Sequence, residues 1–257
     1  MILSRRASLG GVQLDELHEA IVIRSTDPGV PSEDVSNTAR MGGYGQRQTG
    51  QHWNALEASV TFAIDVYKRQ LALRDEIFDM VMAWAKAKQW LEFSHMPGKR
   101  LYVDKVILPG RGDLWEWTKG YTVGFRANSV PFWQQSEPNT LVKKSISNGS
   151  VTMDIGGTAP SVLDVKFRNI SGKTIPNFAV KAGKNRIELK GVNLGGTETL
   201  TISHSAEGWM KITAGSRNVY DIYTGADDLY VEPGKVTVTV EAVRAGELTL
   251  TSYGRFY

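Results

Sequence analysis

Through most of this chain, apolar and polar positions alternate with a period of two, and once the period switches to that of a helix. In 55–66, Leu56, Ala58, Val60, Phe62, Ile64 and Val66 alternate with more polar neighbours, the pattern of a strand with one face buried. Leu73, Ile77, Val81 and Trp84 then fall at helical spacing and predict a helix over 71–88. Arg74, Asp75, Glu76 and Asp79 lie toward its first turns and Lys86 and Lys88 toward its last, a distribution that suits the helix dipole. At this spacing Met80, Met82 and Trp84 read as core residues, not as a ligand box. Ahead of the helix, 11–23 ends in the β-branched cluster Ile21, Val22 and Ile23, which reads as a strand. Behind it, 90–93 and 101–103 flank the turn signal Met96-Pro97-Gly98-Lys99-Arg100 as a hairpin, and 121–127 is a further strand.

From residue 149 onward the chain holds only strand-length runs separated by turn residues, at 150–155, 162–168, 177–182, 186–189, 198–203, 209–213, 228–231, 235–242 and 248–253. Val236, Val238 and Val240 share one face, and Thr237, Thr239 and Glu241 share the other. Short strands at this spacing predict a β-sandwich of jelly-roll or lectin type. The fold class is therefore mostly β with one helix, in two parts: 1–136 and 140–257, joined by the polar segment Gln134 to Asn139.

One stretch fits neither period. Residues 25–54 are rich in Gly, Ser, Thr, Asn, Gln and Pro, a composition that cannot bury itself, and they read as a long loop or an arm ordered by a neighbour.

Composition narrows the function classes. Lys plus Arg number 30 and Asp plus Glu 27, so a net charge of +3 spread along the chain gives no case for nucleic-acid binding. There is no cysteine, which removes disulfides, thiolate nucleophiles and thiolate metal sites together. Neither a signal peptide nor an apolar run of ~20 residues is seen, so no membrane span and synthesis in the cytoplasm are expected.

The search for chemistry yields mainly decoys. His18, His52, His95 and His204 are isolated from one another and read as surface or turn residues, giving no metal site. Gly42, Gly43 and Gly45 open no phosphate loop, and Arg111-Gly112-Asp113 reads as a hairpin tip before it reads as an adhesion signal. Asp227 and Asp228 are adjacent on an extended segment and point to opposite faces, so they are not a glycosidase pair; a turn-flanking role, or a share in a calcium site, is the alternative. No serine sits in a nucleophile elbow. The expectation is no enzyme, no catalytic residue and no cofactor. Trp209, Tyr220 and Tyr223, with Tyr230, remain as a candidate sugar-stacking platform, the alternative for each being sandwich core.

Two stretches resemble a known family. The run from Trp90-Leu91-Glu92-Phe93 through Met96-Pro97-Gly98-Lys99-Arg100-Leu101-Tyr102-Val103, followed by Tyr121-Thr122-Val123-Gly124-Phe125 and Val130-Pro131-Phe132-Trp133, resembles the first domain of the distal tail proteins, the tail-tip hubs of long-tailed, non-contractile bacteriophages. Gly225-Ala226-Asp227-Asp228-Leu229-Tyr230-Val231, with Pro233-Gly234 and the terminal Arg255-Phe256-Tyr257, resembles the end of the galectin-like domain many members carry. The resemblance implies a tail-tube-like β-sandwich plus helix in 1–136, with the arm 25–54, and a peripheral galectin-like β-sandwich in 140–257. It further implies a virion structural protein of the tail tip, built as a homo-hexameric ring. The implied partners are the tail tube protein and the tail-associated hub, lysin or tip protein, with receptor-binding proteins, the tape measure protein or a host glycan as further ones. A carbohydrate-binding module or adhesion protein is the alternative reading.

Overall fold

The computed structural model describes residues 5–39, 46–67, 70–110 and 120–257. Strands dominate, and the described residues contain one α-helix, Leu71–Trp84, beside two single-turn 3-10 segments. The chain divides into two units, one running to Trp133 and including Tyr257, the other Gln134–Phe256.

In the first unit, the alternation through Leu56–Ile64 becomes the centre of an antiparallel sheet in the order Ile21–Asp27, Leu56–Ile64, Tyr121–Ala127, Lys105–Ile107. Its inward positions Leu56, Ala58, Val60 and Phe62 are all at or below 2% exposure. The helix lies on this sheet because Ile77, Phe78, Val81 and Trp84 form one apolar stripe: Phe78 meets Tyr121 edge-on at 5.4 Å and Trp84 meets Phe125 at 6.0 Å. Burying a phenylalanine in this way stabilises by roughly 1.5–3 kcal/mol. The helix is shorter than its periodicity suggests. It ends at Trp84, whose indole N–H donates to the Val12 carbonyl at 2.9 Å, and Lys88 turns the chain with φ +63° into the next strand. Lys86 and Lys88 thus lie beyond the helix and do not complement its C-terminus. Met80 is exposed and Met82 half-buried, so neither is the core residue that the spacing suggests. The hairpin around Met96–Arg100 forms as read, Gln89–Phe93 against Lys99–Val103, with Gly98 at φ +74° and the Arg100 guanidinium 4.1 Å above the Trp90 ring.

Among the described residues, much of 25–54 is strand where a loop or an arm was expected. The Ile21–Asp27 strand runs to Asp27, and Glu33–Ala39 then pairs with Gln46–Trp53 as an antiparallel hairpin. Its composition hid it, since the exposed run Glu33 to Ser36 carries no apolar alternation. Gly42, Gly43, Gly45 and the Arg111-Gly112-Asp113 tripeptide lie outside the described residues.

The second unit is a sandwich of two antiparallel sheets. One has the order Asn139–Ile146, Gly246–Ser252, Asp164–Asn169, Thr199–His204, Met210–Ala214, Arg217–Asn218; the other Gly149–Ile155, Gly234–Ala242, Ile175–Ala182, Asn185–Leu194, Tyr223–Gly225. Their inner faces share one apolar core, across which Phe167 and Phe178 meet at 4.9 Å. Val238 and Val240 are fully buried, and Val236 packs on the core edge. Gln134 and Gln135 do not form a loose linker: Gln134 is buried, and Gln135 N–H donates to the Gly254 carbonyl at 2.8 Å while Gly254 N–H returns to Gln135 Oε1 at 3.2 Å. The strand Asn139–Ile146 escaped the sequence reading because it is a sheet edge and most of its side chains face solvent.

Candidate functional site

Two arrangements in the structure are built rather than merely folded, one in each unit. In the first unit it is the Glu33–Ala39/Gln46–Trp53 hairpin. Among the described residues its two strands pair only with each other, leaving a row of unpaired backbone groups along both outer edges. A seven-residue strand spans about 23 Å. Its root is fixed. Asn54 N–H donates to the Ser32 carbonyl at 2.8 Å, and Trp53 packs between Phe132 at 5.3 Å and Tyr257 at 5.1 Å. The adjacent Trp133 is 1% exposed and its indole donates to the Pro28 carbonyl at 3.0 Å. Of the described side chains in the first strand, Glu33 to Ser36 are all exposed, Val35 among them.

In the second unit, four charged side chains meet under the sandwich surface. The His204 side chain, 3% exposed, is gripped on both ring nitrogens: Nδ1 lies 2.6 Å from Asp164 Oδ1 and Nε2 lies 2.6 Å from Asp228 Oδ1. Asp164 Oδ1 also accepts the His204 backbone N–H at 3.0 Å, and Asp228 Oδ1 accepts the Leu229 N–H at 2.8 Å. Burial disfavours the imidazolium, but the hydrogen bonds and charges of the two carboxylates outweigh it and push the His204 pKa up to about 9. His204 is therefore a cation at neutral pH. Arg255 is buried beside it, close enough to Asp228 and Asp164 to feel both charges, so two cations and two anions balance. Burial and the nearby Asp228 charge push the Tyr230 hydroxyl up from its usual range.

This corrects the reading of His204 as a surface residue and of Asp228 as a turn flank. The signal was present: Leu200, Ile202 and His204 follow one another at period two, so His204 continues the inward row of its strand. His18, His52 and His95 do sit at turns and surfaces: His18 Nδ1 takes the Ala20 N–H at 3.0 Å, His52 is exposed, and His95 stacks on Phe93 at 5.5 Å. Among the described residues no group of three or more His, Asp or Glu is arranged to hold a metal ion, and both His204 nitrogens already have carboxylate partners. No helix among the described residues is long and apolar enough to cross a membrane.

The aromatic candidates differ in exposure. Trp209 is 72% exposed at the tip of the Thr199–His204/Met210–Ala214 hairpin, its indole N–H reaching Glu207 Oε2 at 3.3 Å. Tyr220 and Tyr223 pack on each other at 4.8 Å, and the hydrogen bond between them pushes the Tyr223 hydroxyl up to about 12. Tyr230 is 51% exposed. Core burial is excluded for Trp209, Tyr220 and Tyr230, whereas Tyr223 packs against the core from its edge.

Comparison with known proteins bears on the fold. No family model matches the chain, and no curated protein matches it in sequence. The crystal structure of the Dit protein of phage SPP1, described as a paradigm of the hub adsorption apparatus in phages infecting Gram-positive hosts, is similar over 98% of this chain and 99% of that one, with TM-score 0.66 and 11% identity. A chain of the phage P2 baseplate in its calcium-activated conformation covers 97% of this chain with TM-score 0.48 and 10% identity. The expected fold class, mostly β with one helix and β-sandwich architecture, is shared with the SPP1 protein.

Proposed function

We propose that this protein is the distal tail protein of a long-tailed, non-contractile bacteriophage, a structural hub that forms a hexameric ring at the tail tip. The observation that carries the proposal is a shared fold along 98% of the chain, both units included, with a protein described as an adsorption hub. The hairpin fits this role physically. A closed ring needs each subunit to offer two different surfaces, and a ribbon anchored at its root with both edges unpaired suits the first of them. A two-stranded ribbon is marginal in water by itself, so a neighbour that covers it also stabilises it.

In this reading the first unit makes the ring beneath the tail tube, the second unit hangs at the periphery, and the tail tube protein and the tail-associated tip protein are its partners. No side chain performs chemistry, and the site of action is the virion tail tip after synthesis in the host cytoplasm. Sedimentation velocity and negative-stain imaging test it. A ring with a central hole is expected, and deletion of 25–54 should abolish the ring while leaving the second unit folded. A strictly monomeric profile at high concentration refutes it.

A second reading, binding of a host glycan by the second unit, is favoured by one observation: Trp209 presents its ring to solvent at 72% exposure. Glycan-array binding that is lost in Trp209→Ala supports it, and an array without signal removes it.

A further inference from the structure

A groove of about 490 Å³ runs over the outer face of the five-stranded sheet in the second unit, and none of Trp209, Tyr220 and Tyr223 lines it. Lys181 stands at the end of Ile175–Ala182, Lys184 in the turn that follows, and Lys235 near the start of Gly234–Ala242. The register puts Lys181 opposite Thr239, and Lys235 shares Thr239's face at period two, so both ammonium groups rise from one surface. Against these three cations the lining contains a single acid, Glu232.

None of the three lysines makes an ion pair among the described residues, whereas the arginines around them do. Arg168 is matched with Glu247, Arg217 with Glu198, and Arg186 with Glu241 through two hydrogen bonds. Neither Lys184 nor Lys235 makes an ion pair or a side-chain hydrogen bond among the described residues. The acid nearest in effect to Lys181 is Glu241, already held by Arg186. Asp154 stands opposite Lys235 in the register, so the groove's excess of positive charge rests chiefly on Lys181 and Lys184, and an anionic occupant would neutralise it.

The wall of the groove is aromatic and fixed. Tyr230 lines it with a ring half open to solvent, and its carbonyl accepts Asn185 Nδ2 at 2.7 Å from the opposite turn. That bond and the pairing of Tyr230–Val231 with Ser161–Val162 hold the backbone of this wall in place, so little freedom is lost on binding. A flat ring offers its face to the apolar side of a pyranose, and lysines at its flank match charges spaced along a sugar chain.

We propose that this groove binds an anionic saccharide, with Lys181, Lys184 and Lys235 holding its negative groups and Tyr230 stacking on a sugar ring. The site stands independently of ring formation. Binding of the full-length protein to dextran sulfate, uncharged dextran, polyphosphate and single-stranded DNA is measured by calorimetry at two salt concentrations. Dextran sulfate is expected to bind at least tenfold more tightly than the other three. The triple substitution Lys181→Ala, Lys184→Ala, Lys235→Ala should weaken it at least tenfold. The same charge removed elsewhere on the second unit, by Lys143→Ala, Lys144→Ala and Lys211→Ala, should leave it unchanged. Tyr230→Phe should retain binding and Tyr230→Leu should weaken it about fivefold. The proposal is overturned if the two triple variants lose affinity equally, if polyphosphate or DNA binds as tightly as dextran sulfate, or if Tyr230→Leu binds as the native protein does.

Discussion

Titrating the buried His204 perturbs the second unit without changing its sequence. Folding raises the His204 pKa from the ordinary 6.5 to about 9. A tenfold change in proton affinity corresponds to about 1.4 kcal/mol, so the charged cluster contributes about 3 kcal/mol when fully engaged. The sign follows from the direction of the shift: for a raised histidine, the contribution is complete below the unfolded value of 6.5 and disappears as pH rises through 9. At pH 7 about 2.5 kcal/mol should remain, and at pH 10 almost none. Lysines and tyrosines also titrate in the alkaline range, so the informative quantity is the stability difference between the native protein and His204→Asn, which cannot titrate. Amide hydrogen exchange in Thr199–His204 and Asp164–Asn169 reports it for this unit alone. That difference should shrink by about 2–3 kcal/mol between pH 7 and pH 10, and the His204 ring protons should titrate near 9 in an NMR series. A ring that titrates at 6–7, or a difference that does not change with pH, would refute the account of two carboxylates gripping one imidazolium.

Two further outcomes test the packing of each unit. A Cβ on Gly246 would lie 2.2 Å from Phe167 Cζ, and Phe167 is fully buried against Phe178, so Gly246→Ala should cost about 1–3 kcal/mol in denaturant melts, with part of it restored by adding Phe167→Leu. In the first unit, Asp104 accepts the Asn128 N–H at 2.6 Å and the Ser129 N–H at 2.7 Å; burial opposes its ionisation, but these bonds, the Ser129 hydroxyl and Lys88 hold the carboxyl below its usual range. Its contribution is therefore present above the ordinary carboxylate pKa and lost as pH falls through the depressed one. Asp104→Ala should destabilise the first unit by about 1–3 kcal/mol at pH 7, measured by thermal melting, and by less under acid.

Legibility in the sequence followed burial. Leu56–Ile64, Tyr121–Ala127 and Gly234–Ala242 were readable because one face of each is packed and the other is wet, which writes a period of two into the residues. The helix was readable for the same reason, but its end was not: a tertiary hydrogen bond from Trp84 and the left-handed Lys88 stop it, and neither leaves a mark at helical spacing. Glu33 to Ser36 of the arm are exposed and the edge strand Asn139–Ile146 is mostly so, and hydrophobic periodicity registers neither. In the candidate site, the exposed aromatics were named from side-chain chemistry alone. The cluster of Asp164, His204 and Asp228 joins positions 24 and 40 residues apart in sequence, an adjacency set by strand pairing.

The edge strand Asn139–Ile146 bears on how many copies of this chain can be crowded together safely. Its outer side carries exposed Lys143 and Lys144, and its register with Gly246–Ser252 shifts between Lys143 and Ile146. Charge and irregularity at a border discourage the same border of another molecule from adding to it as one more strand. Copies crowded side by side along this border therefore meet charge and an irregular backbone before they meet a strand ready to pair.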